Sequence, residues 1–264
     1  MLHCYNYVIS LSSAFDRRNH ILKQFSEKNI PFHFFNAIVP DDKLIDNLLP
    51  NLKNTSLTVG EKGCLLSHLV LWKKCIDDNL PYIIIFEDDV LLGKDADLFL
   101  CDDSWLTERF NFNENIIIRL ETFLMPVKLD ESSLSSYLQR TFPILKSVHF
   151  GTAGYIITHK AAKYLLEVIS SLSGDNLKAI DRIIFDSMVS ISDFQVYQLS
   201  PAICIQELQL NQSNSKLISQ IETERRKIWL DSKPKRNFLQ KIFREIYRIK
   251  RRKQQASYKT IYFE

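Results

Sequence analysis

Three adjacent acidic side chains, Glu87-Asp88-Asp89, are the clearest indication of chemistry in this sequence. They follow residues 82–86, whose five consecutive apolar side chains predict a central strand buried on both faces. Ligands of open α/β sheets bind outside the carboxyl ends of the strands. Neighbouring carboxylates repel one another unless a cation or a basic side chain lies between them, and their oxygens suit Mg²⁺ or Mn²⁺. The block predicts a nucleotide diphosphate bridged by a divalent ion; the alternative is an acidic turn that caps the next helix.

Two basic residues, Arg17 and Arg18, follow the first predicted strand at a short distance. If that strand neighbours residues 82–86, their guanidinium groups can reach a nucleotide or its phosphates. The alternative is two solvated charges on the first turn of a helix, and this is the expectation for Arg17. A basic residue at the start of a helix opposes the helix dipole, which favours a specific role for at least one of the two.

Two other segments carry weaker signals. Ser67 and His68 form a polar pair on a largely apolar helix face, where a lone histidine is more often a hydrogen-bonded structural residue than a ligand or a base. Residues 150–155 contain Gly151 and Gly154, which permit positive φ angles or a close approach of the backbone to a ligand. That segment could form a sugar pocket, but taken alone it is better explained as a β-bulge.

A carboxylate is also needed if the bound group is to be transferred by direct displacement, because the acceptor hydroxyl must lose its proton. The downstream carboxylates that could take this proton are Asp181, Asp186, Glu121 and Glu207. Their spacing in the sequence does not rank them.

The elements that must position these residues alternate between strand and helix. Residues 5–11 predict a buried strand, Ser12 or Ser13 could cap the helix that follows, and a second strand begins at Pro31. Further strands are predicted at residues 82–86, 115–120, 148–157 and 195–199, and further helices after the capping-box spacing Thr58 to Glu61 and after Thr158. The expected fold is α/β, with a mainly parallel central sheet flanked by helices.

Composition narrows the class of protein further. The 264 residues are 45% hydrophobic, enough for one sizeable core, and the apolar runs are far shorter than the roughly 20 residues of a membrane-spanning helix. Five cysteines without a CxxC pair favour a reducing compartment over a disulfide framework or a structural zinc site. Without a recognisable secretory signal, we expect a cytoplasmic protein.

The net charge of +3 conceals a strongly basic segment. Residues 233–253 contain ten Lys and Arg and one acid, a charge of +9 that leaves −6 for the rest of the chain. Phe238, Ile242, Ile246 and Ile249 recur at helical spacing, which predicts a basic amphipathic helix suited to an anionic membrane surface. The alternative is a helix packed on the core or on another subunit; nothing else in the chain supports nucleic-acid binding. We therefore divide the chain into a catalytic domain, 1–232, and a basic C-terminal segment, 233–264.

Several blocks in order resemble glycosyltransferase family 25, which includes lipooligosaccharide β-1,4-galactosyltransferases of Gram-negative bacteria. They are Ile9-Ser10-Leu11 with Arg17-Arg18; Gly60-Glu61-x-Gly63-Cys64-x-x-Ser67-His68 with Trp72; Glu87-Asp88-Asp89-Val90; Gly151-Thr152-Ala153-Gly154-Tyr155; and Pro201-Ala202-x-Cys204-x-Gln206-Glu207. The resemblance covers roughly residues 4 to 210. It implies an inverting enzyme of GT-A-like fold that moves a hexose, with galactose expected, from a UDP-sugar to a lipid-linked oligosaccharide acceptor. An enzyme of this kind would attach peripherally to the inner membrane.

The resemblance also implies roles for single residues. Glu87-Asp88-Asp89 would stand in for a DxD motif, with Asp89 holding Mn²⁺ or Mg²⁺ and with Glu87 or Asp88 facing the nucleotide ribose or the metal shell. The remaining donor-binding residues would be Ser10, Arg18, His68, Gly151 and Thr152, and Asp181 would be the base.

Two other classes of protein compete with this interpretation. A nucleotidyltransferase also uses acids at strand ends to hold Mg²⁺ on phosphates. It usually has a glycine-rich, basic loop near its N-terminus, whereas residues 9–18 contain no glycine. A non-enzymatic protein that binds membranes or polyanions through the basic segment would not bind a nucleotide sugar.

Overall fold

The computed structural model describes residues 4–211, 217 and 255–264. Its strands are β1 (Asn6–Ser10), β2 (His33–Asn36), β3 (Tyr82–Glu87), β4 (Val90–Leu92), β5 (Ile116–Arg119), β6 (Glu121–Thr122), β7 (Pro126–Val127), β8 (Leu129–Asp130), β9 (Ile144–Leu145), β10 (Gly154–Thr158), β11 (Gln195–Gln198), β12 (Cys204–Gln206) and β13 (Lys259–Thr260). Its α-helices are α1 (Phe15–Ser26), α2 (Asp42–Leu48), α3 (Val59–Asp77), α4 (Ala96–Leu100), α5 (Ser104–Thr107) and α6 (His159–Ser171), and single helical turns follow over 180–190 and 207–210.

The main sheet has eight strands within the described residues, in the order β2-β1-β3-β10-β5-β11-β9-β8. Strand β1 runs parallel to β2 and β3, and β11 runs parallel to β5, but the other four pairings are antiparallel. The α/β class is thus confirmed, while the expected mainly parallel sheet is wrong because the sheet is mixed. A run of apolar residues predicts burial on both faces but carries no information about strand direction.

The central strand β3 is buried as its sequence predicts. Ile83 and Ile85 pack on one face of the sheet, with α3 and α6, whereas Ile84 and Phe86 pack on the other. All four residues have relative exposures of 3% or less. A continuous apolar run therefore supplies both cores, since side chains of a strand alternate between the two faces.

Two of the predicted helix starts are confirmed and one is wrong. The side chain of Thr58 accepts from the backbone N–H of Glu61, whose carboxylate accepts from the N–H of Thr58, so the predicted capping box forms. Thr158 caps α6 by accepting from the N–H of Ala161. The residue at the N-cap of α1 is Ala14, with no side-chain cap, so neither serine before it is the predicted cap.

The direction of β10 decides which loop reaches the acidic block. Gly154 pairs with Phe86 and Thr158 pairs with Tyr82, so β10 begins where β3 ends and runs back along it. The expected strand 148–157 forms only from Gly154 onward, and the residues before it make a loop instead. That loop lies beside the carboxyl end of β3, where the Ala153 carbonyl accepts the Glu87 N–H.

The last described residues return to the body of the protein. Strand β13 pairs with β7, the Ile261 carbonyl accepts from the Thr122 hydroxyl at 2.6 Å, and Ala202 bridges to Phe263. The boundary expected at residue 232 and the predicted basic helix 233–253 lie outside the described residues, so they stay predictions, as does membrane attachment. No helix in the described ranges is long and apolar enough to cross a bilayer.

The packing of the last described residues on the core predicts that two neighbouring residues contribute differently to stability. Ile261 is 2% exposed and Tyr262 is 71% exposed. We expect Ile261→Ala to lower the free energy of unfolding by about 2 to 5 kcal/mol, because it leaves a cavity in the core. Tyr262→Ala, the matched control, is expected to change it by less than about 0.5 kcal/mol. Urea denaturation measures both, and equal effects would contradict the packing of this segment.

Candidate active site

The three acids at the end of β3 lie in three different environments. Strand β1 runs beside β3 with Ile9 opposite Glu87, so the loop that follows β1 lies next to the acidic block. Asp88 and Asp89 occupy the turn between β3 and β4, and both are largely buried. Because three carboxylates this close cannot all stay ionised without compensation, the partners of each one decide what it can do.

Asp88 is paired with Arg17. The Arg17 guanidinium contacts the Asp88 carboxylate, lies 3.6 Å from Oδ2 of Asp89 and donates to the Leu217 carbonyl at 3.2 Å. Burial alone would lower the pKa of Arg17, but the charges of Asp89 and Asp88 outweigh it and raise that pKa. The expectation that Arg17 is a solvated charge is therefore wrong, because the tertiary fold brings it onto the acidic block.

Arg18 has a different set of contacts. Its guanidinium donates to the carbonyls of Leu11 and Ser10, at 3.0 and 3.1 Å, and lies over the ring of Phe34. These bonds hold the turn between β1 and α1. The donor-binding role predicted for Arg18 stays a prediction, and the arginine that the structure brings to the acids is Arg17.

Glu87 is held by groups from two other elements. Its Oε1 accepts from the Thr152 hydroxyl at 2.6 Å and lies 3.6 Å from Nε2 of His68 and 4.0 Å from the Cys64 sulfur. Burial would raise the pKa of Glu87, but the neighbouring His68 side chain, the Thr152 hydroxyl and the charge of Arg17 lower it. The tertiary structure therefore brings Glu87, His68 and Thr152 to one point, although they lie on three separate elements.

Asp89 is the acid best suited to a cation. Burial, together with the charge of Glu87, raises its pKa to about 7. Its Oδ1 is buried and has no hydrogen-bond partner among the described residues. A buried carboxylate oxygen in this state is costly unless a cation or a donor satisfies it, so the residue fits the predicted divalent-ion site.

Two cavities meet at this block. The first, of about 300 Å³, is lined by the turn after β1, the segment after β2 and the start of α3, including Ser10, Arg17, Ser67, His68 and Asp88. The second, of about 320 Å³, is lined by Gly151, Thr152, Phe123, Phe150, Asp181, Gln206 and others. Cys64, Glu87 and Asp89 line both cavities. Apart from Arg18, every predicted site residue lines one cavity or the other.

The structure ranks the four candidate base residues. Asp181 lines the second cavity and also a third cavity, of about 350 Å³, that shares Glu61, Phe150 and Ala179 with the second. Its Oδ1 accepts from the N–H of Arg182 and its Oδ2 accepts from the N–H of Gly151. Asp186 pairs with Arg182, Glu121 is fully buried, and the Glu207 carboxylate accepts from Asn211. Of these four carboxylates, Asp181 is therefore the one that lines the second cavity.

Sequence reasoning missed the buried pair Arg119 and Glu121 that supports the glycine loop. Arg119 donates to Glu121 and to the carbonyls of Phe150 and Gly151. Gly151 has a φ of +81°, and a Cβ there would lie 2.6 Å from Oε1 of Glu121, so this position requires glycine. The available signal was a pair of charges two residues apart in a buried apolar strand, where both side chains point to the same face.

Comparison with known proteins identifies the relatives of this chain. Residues 3–184 match glycosyltransferase family 25 (LPS biosynthesis protein). The chain is 46% identical over 256 residues to the lipooligosaccharide biosynthesis protein lic2B of Haemophilus influenzae, covering 92% of this chain and 94% of that protein. It is 45% identical over 249 residues to lipooligosaccharide biosynthesis protein lex-1 of the same species, covering 84% and 82%. It is 41% identical over 259 residues to the lacto-N-neotetraose biosynthesis glycosyltransferase LgtB of Neisseria meningitidis, covering 94% of both chains.

The buried pair Arg119 and Glu121 predicts that the difference in stability between the wild type and Glu121→Gln changes with pH. Burial raises the pKa of Glu121 to about 8, against the opposing charge of Arg119. A glutamate in the unfolded chain has a pKa of about 4.3. Between this pH and the pKa of the folded state, the folded chain holds a proton that the unfolded chain has released. The stability of the wild type therefore falls as pH rises through this range. Glu121→Gln cannot ionise, so its stability relative to the wild type should improve between pH 5 and pH 8 in urea denaturation.

Glu131→Gln, which changes an exposed glutamate, is the control and should show no such trend. If Glu121→Gln and the wild type kept a constant difference at every pH, Glu121 would instead be ionised in the folded protein.

Proposed function

The chain belongs to glycosyltransferase family 25, and from this membership we propose that it moves a hexose, with galactose as the expected sugar, from a UDP-sugar to an oligosaccharide acceptor of lipooligosaccharide or lipopolysaccharide. The acceptor is lipid-linked, the reaction inverts the anomeric centre, and the α/β domain is of the GT-A type. The observation that carries the proposal is the position of Glu87 and Asp89 on the wall that two adjacent cavities share. One cavity then takes the nucleotide and the other takes the sugar.

Asp89 would hold the divalent ion. Its buried Oδ1 without a hydrogen-bond partner and its raised pKa both fit a carboxylate that awaits a cation. A bound Mn²⁺ or Mg²⁺ would supply charge stabilisation for the diphosphate leaving group. Arg17, which lines the first cavity, adds a fixed positive charge on the same side, where negative charge develops as UDP leaves.

Asp181 takes the proton from the acceptor hydroxyl as that oxygen attacks C1 of the sugar. Its support is its position between the second and third cavities, since the acceptor enters from the side of the sugar opposite to the nucleotide. The N–H groups of Gly151 and Arg182 donate to its carboxylate and hold it in place. General-base catalysis of this kind typically contributes about 10² to 10⁴ in rate.

A donor screen tests the proposal. We expect UDP release from UDP-galactose in the presence of a lipooligosaccharide acceptor and Mn²⁺, and little release with EDTA. Asp89→Asn should remove the Mn²⁺-dependent part of donor binding in calorimetry, whereas Asp130→Asn, which changes an exposed aspartate, should not. Failure to release UDP from any UDP-hexose would refute the proposal, and pyrophosphate release from a nucleoside triphosphate would indicate a nucleotidyltransferase instead.

A second measurement tests the base. Asp181→Asn should lower kcat by about 10² to 10⁴ because the amide cannot accept the proton, while the affinity for UDP stays within about twofold. Asp186→Asn is the matched control, since Asp186 lies five residues away, pairs with Arg182 and is not among the residues that line the second cavity. A collapse of turnover in Asp186→Asn with full activity in Asp181→Asn would reverse the assignment.

A further inference from the structure

A chain of hydrogen bonds runs through the core and ends at Glu87. The indole Nε1 of Trp72 donates to the hydroxyl oxygen of Tyr155 at 2.9 Å, and that hydroxyl lies 2.7 Å from Nδ1 of His68. Trp72, Tyr155 and His68 each have a relative exposure of 0%. With water excluded, the polar atoms of these three side chains must satisfy one another.

The order of donors and acceptors along this chain assigns the tautomer of His68. An indole N–H can only donate, so the Tyr155 oxygen accepts from Trp72, and the single hydrogen of the phenol is directed to Nδ1 of His68. Nδ1 therefore accepts, and the neutral imidazole carries its proton on Nε2. The opposite tautomer would leave the Tyr155 hydroxyl hydrogen without the acceptor that Nδ1 provides.

The proton on Nε2 faces Glu87. Nε2 is buried without a hydrogen-bond partner among the described residues, and Oε1 of Glu87 lies 3.6 Å from it. The Thr152 hydroxyl donates to the same oxygen at 2.6 Å. Hydrogen bonds in a ligand-free active site are often long and tighten when substrate binds, so a gap of this size is compatible with a donor that engages in the complex.

We propose that Trp72 and Tyr155 are positioning residues that keep the His68 proton on Nε2. His68 and Thr152 then hold Oε1 of Glu87 together. The second carboxylate oxygen of Glu87 is thereby presented to a hydroxyl of the bound nucleotide sugar. This inference rests on the proposed function for the identity of the ligand. It makes Glu87 a fixed hydrogen-bond acceptor, in contrast to Asp89 as the carboxylate for the cation and Asp88 as the partner of Arg17.

A metal site is the competing explanation for the same side chains. One ligand atom from each of Cys64, His68 and Glu87 lies within 4.8 Å of the others, and thiolate, imidazole and carboxylate are all ligands of Zn²⁺. Histidine binds a metal through a nitrogen that carries no proton, however, and the nitrogen that faces this cluster is Nε2. The hydrogen-bond order thus favours a positioning chain over a zinc site, and Zn²⁺ becomes an outcome of the test.

The direct test reads the proton on His68. The full chain is labelled with ¹⁵N-histidine and examined by NMR at about pH 8, where the tautomer of the neutral imidazole can be observed. His68→Gln identifies the signals of His68 among the six histidines. We expect a protonated Nε2 and an unprotonated Nδ1 in the wild type and a mixture of tautomers in Tyr155→Phe. A protonated Nδ1 in the wild type, or displacement of the His68 signals by stoichiometric Zn²⁺, overturns the inference.

Calorimetry tests whether the tautomer of His68 affects the affinity for UDP-galactose. Tyr155→Phe should weaken binding about tenfold, the size expected when one hydrogen bond to a charged group is lost. Tyr164→Phe is the control, since Tyr164 is a half-buried tyrosine on α6 that packs against Phe194. If Tyr155→Phe has mixed tautomers but binds UDP-galactose as tightly as the wild type does, the inference is overturned. Absence of binding by the wild type overturns the proposed function and the role of Glu87, while the NMR spectrum still reports the tautomer.

A second pair of variants guards against misfolding of Tyr155→Phe. His68→Gln keeps an N–H that can reach Glu87 and should retain binding within a few-fold, whereas His68→Leu should lose it. A purely structural role of this buried residue predicts the reverse order, because leucine is better suited to an apolar core than glutamine is.

Discussion

The mutual repulsion of three adjacent carboxylates at the end of a buried strand is the constraint on which the rest of this structure depends. Each acid is relieved in a different way: Asp88 by Arg17, Glu87 by Thr152 and His68, and Asp89 by a proton, which burial favours because it raises the pKa of that group to about 7. Because the compensation differs, the three residues have different chemical capacities despite their adjacency. Asp88 is paired within the protein; under the proposals made above, Glu87 would be a hydrogen-bond acceptor and Asp89 the ligand of a cation.

The elements around β3 are arranged as this compensation requires. Helix α1 follows the neighbouring parallel strand and supplies Arg17, α3 supplies His68, and the antiparallel β10 begins at the loop that contains Thr152. The loop in turn depends on Arg119, which donates to its carbonyls, and on Gly151, whose missing side chain leaves room for Glu121. In a region of low dielectric constant these charge-assisted bonds are strong, and an unpaired member would be costly, so the site and its support form one unit.

The same arrangement gives the proposed reaction its direction. The three cavities follow one another, with Glu87 and Asp89 between the first and the second and Asp181 between the second and the third. A nucleotide sugar would, under the proposed function, lie across the first boundary with its reacting carbon toward the second. Under the proposed function, the groups that stabilise the leaving diphosphate and the group that activates the acceptor are therefore on opposite sides of the sugar, as a single displacement requires.

The sequence by itself determined the features that depend on neighbours along the chain. The apolar run of β3 predicts burial on both faces, and the spacings at Thr58 and Thr158 predict helix starts, because strand alternation and helix capping are local. The blocks around Ser67-His68, Glu87-Asp88-Asp89 and residues 151–155 also sufficed to predict the family, which the relatives confirm.

Only the tertiary structure decided direction and partnership. It reversed β10 within the sheet and brought Arg17 rather than Arg18 to the acids. It also placed Asp181, but not the other three candidate carboxylates, on the wall of the second cavity, and returned Ile261 to the core. Each of these depends on contacts between residues far apart in the chain. The periodicity of a segment shows which of its faces is buried, but it does not show which distant segment covers that face.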